Sequence, residues 1–233
     1  MANRRLLTVQ NLSIGHNGRT LCADITFDIC EGDCIMLCGA NGSGKTTLMK
    51  HLAEGTADTC FTEGCECIMI PARIPKIAGF TLREFVRISC FSKSDMYGKL
   101  SHDEEHAMDQ AIERLGLKHL ENRDISTLSD GEFQKAGIAS ALVRKASIIM
   151  LDEPTAFLDA QNRISVLATL KDICSTETTA STNRPAIIFS THDLHDGLQV
   201  CSKVFAIGAD HMFHISTENT LESRSNTVSK IFR

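Results

Sequence analysis

Short apolar runs alternate along this chain with stretches in which apolar residues recur every third or fourth position. The runs Cys34–Leu37, Ile148–Leu151, Ala186–Phe189 and Lys203–Ile207 have the length and composition of buried strands. Between them, Leu48, Met49, Leu52 and Ala53 follow helical spacing, as do Met108, Ala111, Ile112 and Leu115. A long helix is predicted from Leu128–Glu132 to about Lys145, and another over Ala160–Cys174 with Ile164, Leu167, Ala168 and Cys174 on one face. Leu6–Ile14 and Leu21–Ile29 alternate instead with period two and flank an Asn17-Gly18 turn signal, which predicts an antiparallel pair. Glu66–Ile70 reads as a further strand after the short polar stretch 56–67. Pro71, Pro75 and Gly79 then interrupt regular structure. Thr81–Leu120 is a mostly helical insertion, in which Ser101-His102-Asp103-Glu104 reads as a capping box and Gly116 as a helix stop. Ser175–Arg184 is a Ser/Thr-rich loop, and the chain beyond Ser216 reads as a polar, loosely held tail. Strands alternating with helices predict an α/β fold whose core is a mostly parallel sheet, with ligand at the strand C-termini.

Composition narrows the function. The chain has 233 residues, enough for one domain with a subdomain. Its 24 basic and 29 acidic residues give a net charge of −5, so no nucleic-acid partner is expected. No apolar run approaches the ~20 residues of a membrane helix, and residues 1–7 lack a signal-peptide core. A cytoplasmic protein able to dock on a membrane protein is expected. The ten cysteines read as free, mostly buried thiols rather than disulfides. Cys60, Cys65 and Cys67 cluster, but their spacing forms no pair of C-x₂-C hooks and no histidine is near in sequence.

The chemistry begins at Gly39-Ala40-Asn41-Gly42-Ser43-Gly44-Lys45-Thr46-Thr47, between a predicted strand and a predicted helix. Glycines let such a loop turn its N–H groups inward as an anion nest at a helix N-terminus. Lys45 can reach the β- and γ-phosphates of a nucleoside triphosphate, and the Thr46 hydroxyl can ligate Mg²⁺. Asp152-Glu153 ends a buried strand, where Asp152 can hold Mg²⁺ and Glu153 can polarise a water. His192 ends another. His16, beside the Asn17-Gly18 turn, is either a stacking ring for a purine or a solvent-exposed turn residue.

These motifs, in this order, resemble an ABC-type ATPase, the nucleotide-binding subunit of an ABC transporter, from about Leu7 to Ile207. Gly39–Thr47 resembles the Walker A loop and Ile148–Glu153 the Walker B strand. Leu128–Glu132 resembles the signature sequence, Phe157-Leu158-Asp159 the D-loop, and His192 the switch histidine. The resemblance implies a P-loop NTPase fold with a nucleotide-binding core (1–75 and 127–216), a small antiparallel β subdomain and a helical subdomain (76–126). It implies ATP and Mg²⁺ as ligands. It also implies a head-to-tail homodimer in which Ser129 and Gly131 of one copy cap the γ-phosphate held by the other, with Asp159 along the interface. Glu153 would be the general base, His192 would steady the γ-phosphate and attacking water, and His16 would stack on adenine. Integral membrane permease subunits are the implied partners, seated beside residues 72–90 on the inner face of the plasma membrane, and a substrate-binding protein is an indirect one.

Two positions depart from the family pattern. Asp130 stands where a glycine is usual and brings a carboxylate near a triphosphate, so it either points away or weakens closure. Ala72 stands where the Q-loop glutamine should be, and no glutamine occurs between Gln10 and Gln110. The stretches Tyr97–Asp130 and Thr155–Asp159 look most like importers of iron chelates, haem or cobalamin. The alternative is a soluble ABC ATPase without a permease, serving Fe–S assembly or acting as a scaffold.

Overall fold

The computed structural model describes residues 3–16, 18–89, 101–175, 184–216 and 219–232. The predicted antiparallel pair is present as β1 (Arg5–His16) and β2 (Arg19–Cys30), with His16 opposite Arg19 at the tip. Asn17 of the expected turn lies outside the described residues. A short strand that polarity had hidden, β4 (Thr59–Phe61), joins the other edge of β1, giving a three-stranded sheet ordered β2-β1-β4.

The second sheet has six strands. It contains β3 (Cys34–Gly39), β5 (Cys67–Ile70), β6 (Ile148–Leu151), β7 (Ala186–Ser190), β8 (Lys203–Ile207) and β9 (Phe213–Ile215), ordered β5-β6-β7-β3-β8-β9. All pairs are parallel except β8–β9. β3, β6, β7 and β8 are buried on both faces, which is why they read as apolar runs.

Period-two alternation divides the core between those faces. Ile35, Leu37, Met150, Ile188 and Phe205 pack with Leu48, Met49 and Leu52 of α1 (Lys45–Glu54) and with the antiparallel sheet. Met36, Cys38, Leu151, Ile187 and Phe189 pack with the helices of the other layer. Those helices are α4 (Asp130–Val143), α5 (Ala160–Ser175), α6 (Leu194–Val200) and α7 (Leu221–Ser229). Each fully buried Leu, Ile or Phe contributes about 1.5–3 kcal/mol. The two layers hold the sheet, and with it the loops at its C-terminal edge, in one geometry.

The insertion carries α2 (Leu82–Ile88) and α3 (His102–Arg114), packed on α4. Both are capped as reciprocal boxes, by Thr81 with Glu84 and by Ser101 with Glu104. The predicted stop follows α3, where Leu117 N–H closes back on Ile112 C=O at 2.9 Å. Residues 90–100, including Cys90 and Tyr97, lie outside the described residues, as do residues 176–183 of the Ser/Thr-rich loop. Replacing the cap, Ser101→Ala, is expected to cost about 1 kcal/mol, read as a lower urea midpoint with an unchanged slope.

Two expectations are corrected. The tail is not loosely held: α7, capped by Thr220, buries Thr227 and Val228, Ile231 packs beyond it, and the Arg224 guanidinium donates to Cys201 C=O. Its sparse apolar residues gave no helical period, so only tertiary packing identifies it. The buried face of α5 is also rotated from the expected one. Val166, Leu167, Leu170, Ile173 and Cys174 are inside, while Ile164 and Ala168 are exposed. The nine described cysteines are unpaired, and five of them are buried. Among the described residues no group of three or more His, Cys, Asp or Glu side chains is placed to hold a metal.

Candidate active site

β3 runs directly into the glycine loop, and the loop closes on α1 through Gly44. Gly44 has φ 108°, and a Cβ there would lie 2.9 Å from Ile14 Cδ1, so the turn accepts only glycine. The same contact seats the end of the β1–β2 hairpin against the loop, which places His16, two residues beyond Ile14, on that side of the molecule. His16 is exposed at the rim of a shallow depression of ≈ 310 Å³. A Cβ on Gly39 would stand 2.6 Å from Ser43 Oγ. That hydroxyl is buried and has no hydrogen-bond partner.

Lys45 is 7% exposed, and its ammonium donates to Gly39 C=O at 2.9 Å and Ala40 C=O at 3.1 Å. Burial pushes its pKa below the usual lysine value, while the Glu153 and Asp152 carboxylates act in the opposite direction. A curled loop whose cation is held by carbonyls and whose hydroxyl is orphaned suits a phosphate, which would supply acceptors to both.

Strand register assembles the rest. Leu151 is opposite Phe189 and Leu37 opposite Ser190, so the ends of β3, β6 and β7 lie side by side. Thr46 Oγ1 donates to Asp152 Oδ2 at 2.8 Å, and Ser190 Oγ donates to Asp152 Oδ1 at 2.8 Å. Ser190 Oγ also accepts from the Glu153 N–H at 2.8 Å. His192 Nε2 lies 2.7 Å from Glu153 Oε1. Glu153 adopts φ 47°, a left-handed conformation that is costly for a residue with a Cβ and is typical of backbone constrained by function. The turn that follows His192 is anchored to α5, because Arg163 pairs with Asp193 at 3.0 Å and with Asp196 at 3.2 Å. Thr46 and Asp152 are adjacent hard oxygen donors and fit a Mg²⁺ whose other ligands are phosphate and water.

The loop 39–47, Asp152, Glu153 and His192 thus form one cluster. Ser129, Gly131 and Asp159 do not join it. Ser129 caps α4 and bonds reciprocally with Glu132. Gly131 lies under the Asn162 side chain, and Asp159 accepts from Asn162 N–H at 2.8 Å and from its Nδ2 at 2.9 Å. Those bonds hold the Asp159 carboxyl below its usual pKa. The signature and D-loop motifs lie together beside that cluster and share a cleft with Glu153. Ser190 escaped the reading of the sequence, and the only signal for it was a hydroxyl directly after the apolar run of β7.

Comparison with known proteins matches residues 22–156, more than half of the chain, to the family described as ABC transporter. The chain belongs to the ABC transporter family. ATP-binding subunits of ABC transporters bind and hydrolyse ATP, and the chain is an ATPase of this type. A molybdate import ATP-binding protein of Haemophilus influenzae is 28% identical over 232 residues, covering 96% of this chain and 87% of the relative. A cobalamin import ATP-binding protein of Halobacterium salinarum is 28% identical over 223 residues, covering 89% of this chain but 54% of that protein. Among solved structures, a metal-chelate type ABC transporter in an inward-facing conformation superposes with TM-score 0.84 at 23% identity, covering 98% of this chain and 89% of the other. ATP-binding subunits of ABC importers work with membrane permeases. Among the described residues no helix is long and apolar enough to cross a membrane itself.

Proposed function

We propose that this ABC ATPase powers import of an iron complex, haem or cobalamin through a separate permease, from the inner face of the plasma membrane. The observation that carries the catalytic part is the 2.7 Å contact between His192 Nε2 and Glu153 Oε1, beside the Thr46–Asp152 pair. ATP is held by the N–H groups of Gly39–Thr47 and by Lys45, which exchanges the Gly39 and Ala40 carbonyls for phosphate oxygens. Thr46 and Asp152 would hold Mg²⁺, which would supply positive charge to neutralise the triphosphate. Glu153 takes a proton from a water as its oxygen attacks the γ-phosphorus, and the bond to the ADP oxygen breaks. His192 Nε2 aligns the Glu153 carboxylate in the resting site and turns to donate to a γ-phosphate oxygen in the transition state.

Two copies complete the site. Ser129 and the Gly131 N–H cap the γ-phosphate bound by the partner copy, at the positive end of α4. Phe157 and Ile164, 53% and 58% exposed, flank Asp159 and suit a surface that a second copy covers. His16 stacks on adenine. The helical subdomain, 76–126, moves against the core (1–75 and 127–216) during closure. The permease sits on this subdomain's near side, where Ile77, Phe80 and Ile88 are exposed. The cargo rests on kinship with importers, and a substrate-binding protein delivers it.

Affinity capture of the tagged chain from detergent-extracted membranes is expected to bring down a polytopic permease. Recovery only in a soluble assembly complex would overturn the transport reading. The Ala72 side chain offers no metal ligand or acceptor, so Ala72→Gln is expected to raise permease-stimulated hydrolysis. No change would mean that this loop signals by another contact.

A further inference from the structure

The loop between β5 and α2 has such a contact. Lys76 crosses to the start of α4, where its Nζ donates to Leu128 C=O at 2.7 Å and to Asp130 Oδ1 at 2.6 Å. These acceptors sit on either side of Ser129. The Lys76 Nζ lies over the Phe133 ring, 5.7 Å from its centroid, and the side chain is 24% exposed against 61% for Asp130. Arg73, on the same loop, stacks its guanidinium 4.4 Å over Phe157, the first residue of the D-loop. Ala72, Lys76, Asp130, Glu153 and Phe157 line one cleft of ≈ 320 Å³.

We propose that Lys76 is a positioning residue that locks the signature turn and neutralises Asp130, so that Ser129 and Gly131 meet a partner's γ-phosphate in the correct place without like-charge repulsion. The two departures from the family pattern, Ala72 and Asp130, then belong to one arrangement. The coupling loop lacks its glutamine and grips the signature through a lysine, and the signature has a carboxylate for that lysine to hold. The carboxylate at the first turn of α4 suits the helix dipole, but facing a triphosphate it needs a counter-charge. Movement of the loop on the permease side is transmitted to Ser129 through two bonds from one ammonium.

This inference rests on the composite dimer site, and the test separates the two. In the Glu153→Gln background, dimer formation with Mg-ATP is followed by sedimentation velocity, and binding of a fluorescent ATP analogue to dilute monomer is measured in parallel. Lys76→Ala is expected to leave monomer affinity within about twofold and to weaken ATP-dependent dimerisation about five- to tenfold, a modest factor because the pair is partly solvated. Lys76→Arg should retain most of the dimerisation. Lys76→Ala combined with Asp130→Gly should regain most of it, since no carboxylate is left unpaired. Raising salt should narrow the gap between Lys76→Ala and the parent, because it screens both the Lys76–Asp130 pair and the repulsion from an unpaired Asp130. Dimerisation of Lys76→Ala equal to the parent's would overturn the proposal. So would a double variant as weak as the single, which would assign Lys76 a packing role on Phe133. If the parent itself stays monomeric with ATP, the composite site falls, and this proposal with it.

Discussion

Glu153→Gln is expected to retain ATP binding, to lose hydrolysis by about 10²–10⁴-fold, the range supplied by a positioned general base, and to accumulate as an ATP-bound dimer. The amide preserves the shape of the side chain and can still contact His192, but it cannot accept a proton from water. It also keeps the φ 47° backbone, which the Ser190 hydroxyl supports through the Glu153 N–H. Steady-state phosphate release and size-exclusion chromatography with Mg-ATP read the two effects separately. Hydrolysis near the wild-type rate would falsify the assignment of Glu153 as the base. His192→Ala should be slow as well, with turnover falling far more than ATP affinity, because the ring acts on the charge that develops as the γ-phosphoryl transfers.

Lys45→Ala has the largest expected effect on binding. The ammonium is almost the whole positive charge of the loop, and a charge-assisted hydrogen bond of this kind contributes about 1.5–3 kcal/mol, or about 10²-fold in affinity at the upper end. Thermal protection makes the loss visible. ATP at 100 times its dissociation constant stabilises the native state by about 2.7 kcal/mol, which for a chain of this size raises the melting temperature by about 5–10 °C. A 10²-fold weaker site leaves about 0.4 kcal/mol, a shift of about 1 °C. The variant without ATP should melt close to wild type, because the two carbonyls released by Lys45 border a loop that water can enter. A full ATP-dependent shift in Lys45→Ala would place the triphosphate elsewhere.

Much of this site was legible because its chemistry is local in sequence. A loop that must expose consecutive N–H groups needs glycines at fixed spacing, and the flanking β3 and α1 announced themselves through an apolar run and a helical period. The apolar runs of β6 and β7 likewise pointed to Asp152, Glu153 and His192 at their ends. The capping box of α3 is readable for the same reason, since it is a contact between residues three apart. What stayed hidden depends on partners distant in the chain. β4 is short and polar and exists by pairing with β1. α7 has almost no apolar stripe and is held by β8, Ile231 and the bond from Arg224 to Cys201. The inward face of α5 was misplaced because Ile164, an apolar residue at an acceptable spacing, faces outward.

By itself the sequence determined that this is an α/β protein that binds a nucleoside triphosphate, since the strand, glycine loop, helix and the Asp-Glu strand end are each specified by neighbouring residues. The tertiary structure decided what those pieces do to one another. Parallel register sets Thr46, Asp152 and Ser190 within hydrogen-bond reach and turns Glu153 toward His192, although 106 residues separate Thr46 from Asp152. The tertiary structure also paired Asp130 with Lys76, 54 residues earlier. Interactions of that range are fixed by how layers pack, and no pattern along the chain encodes them.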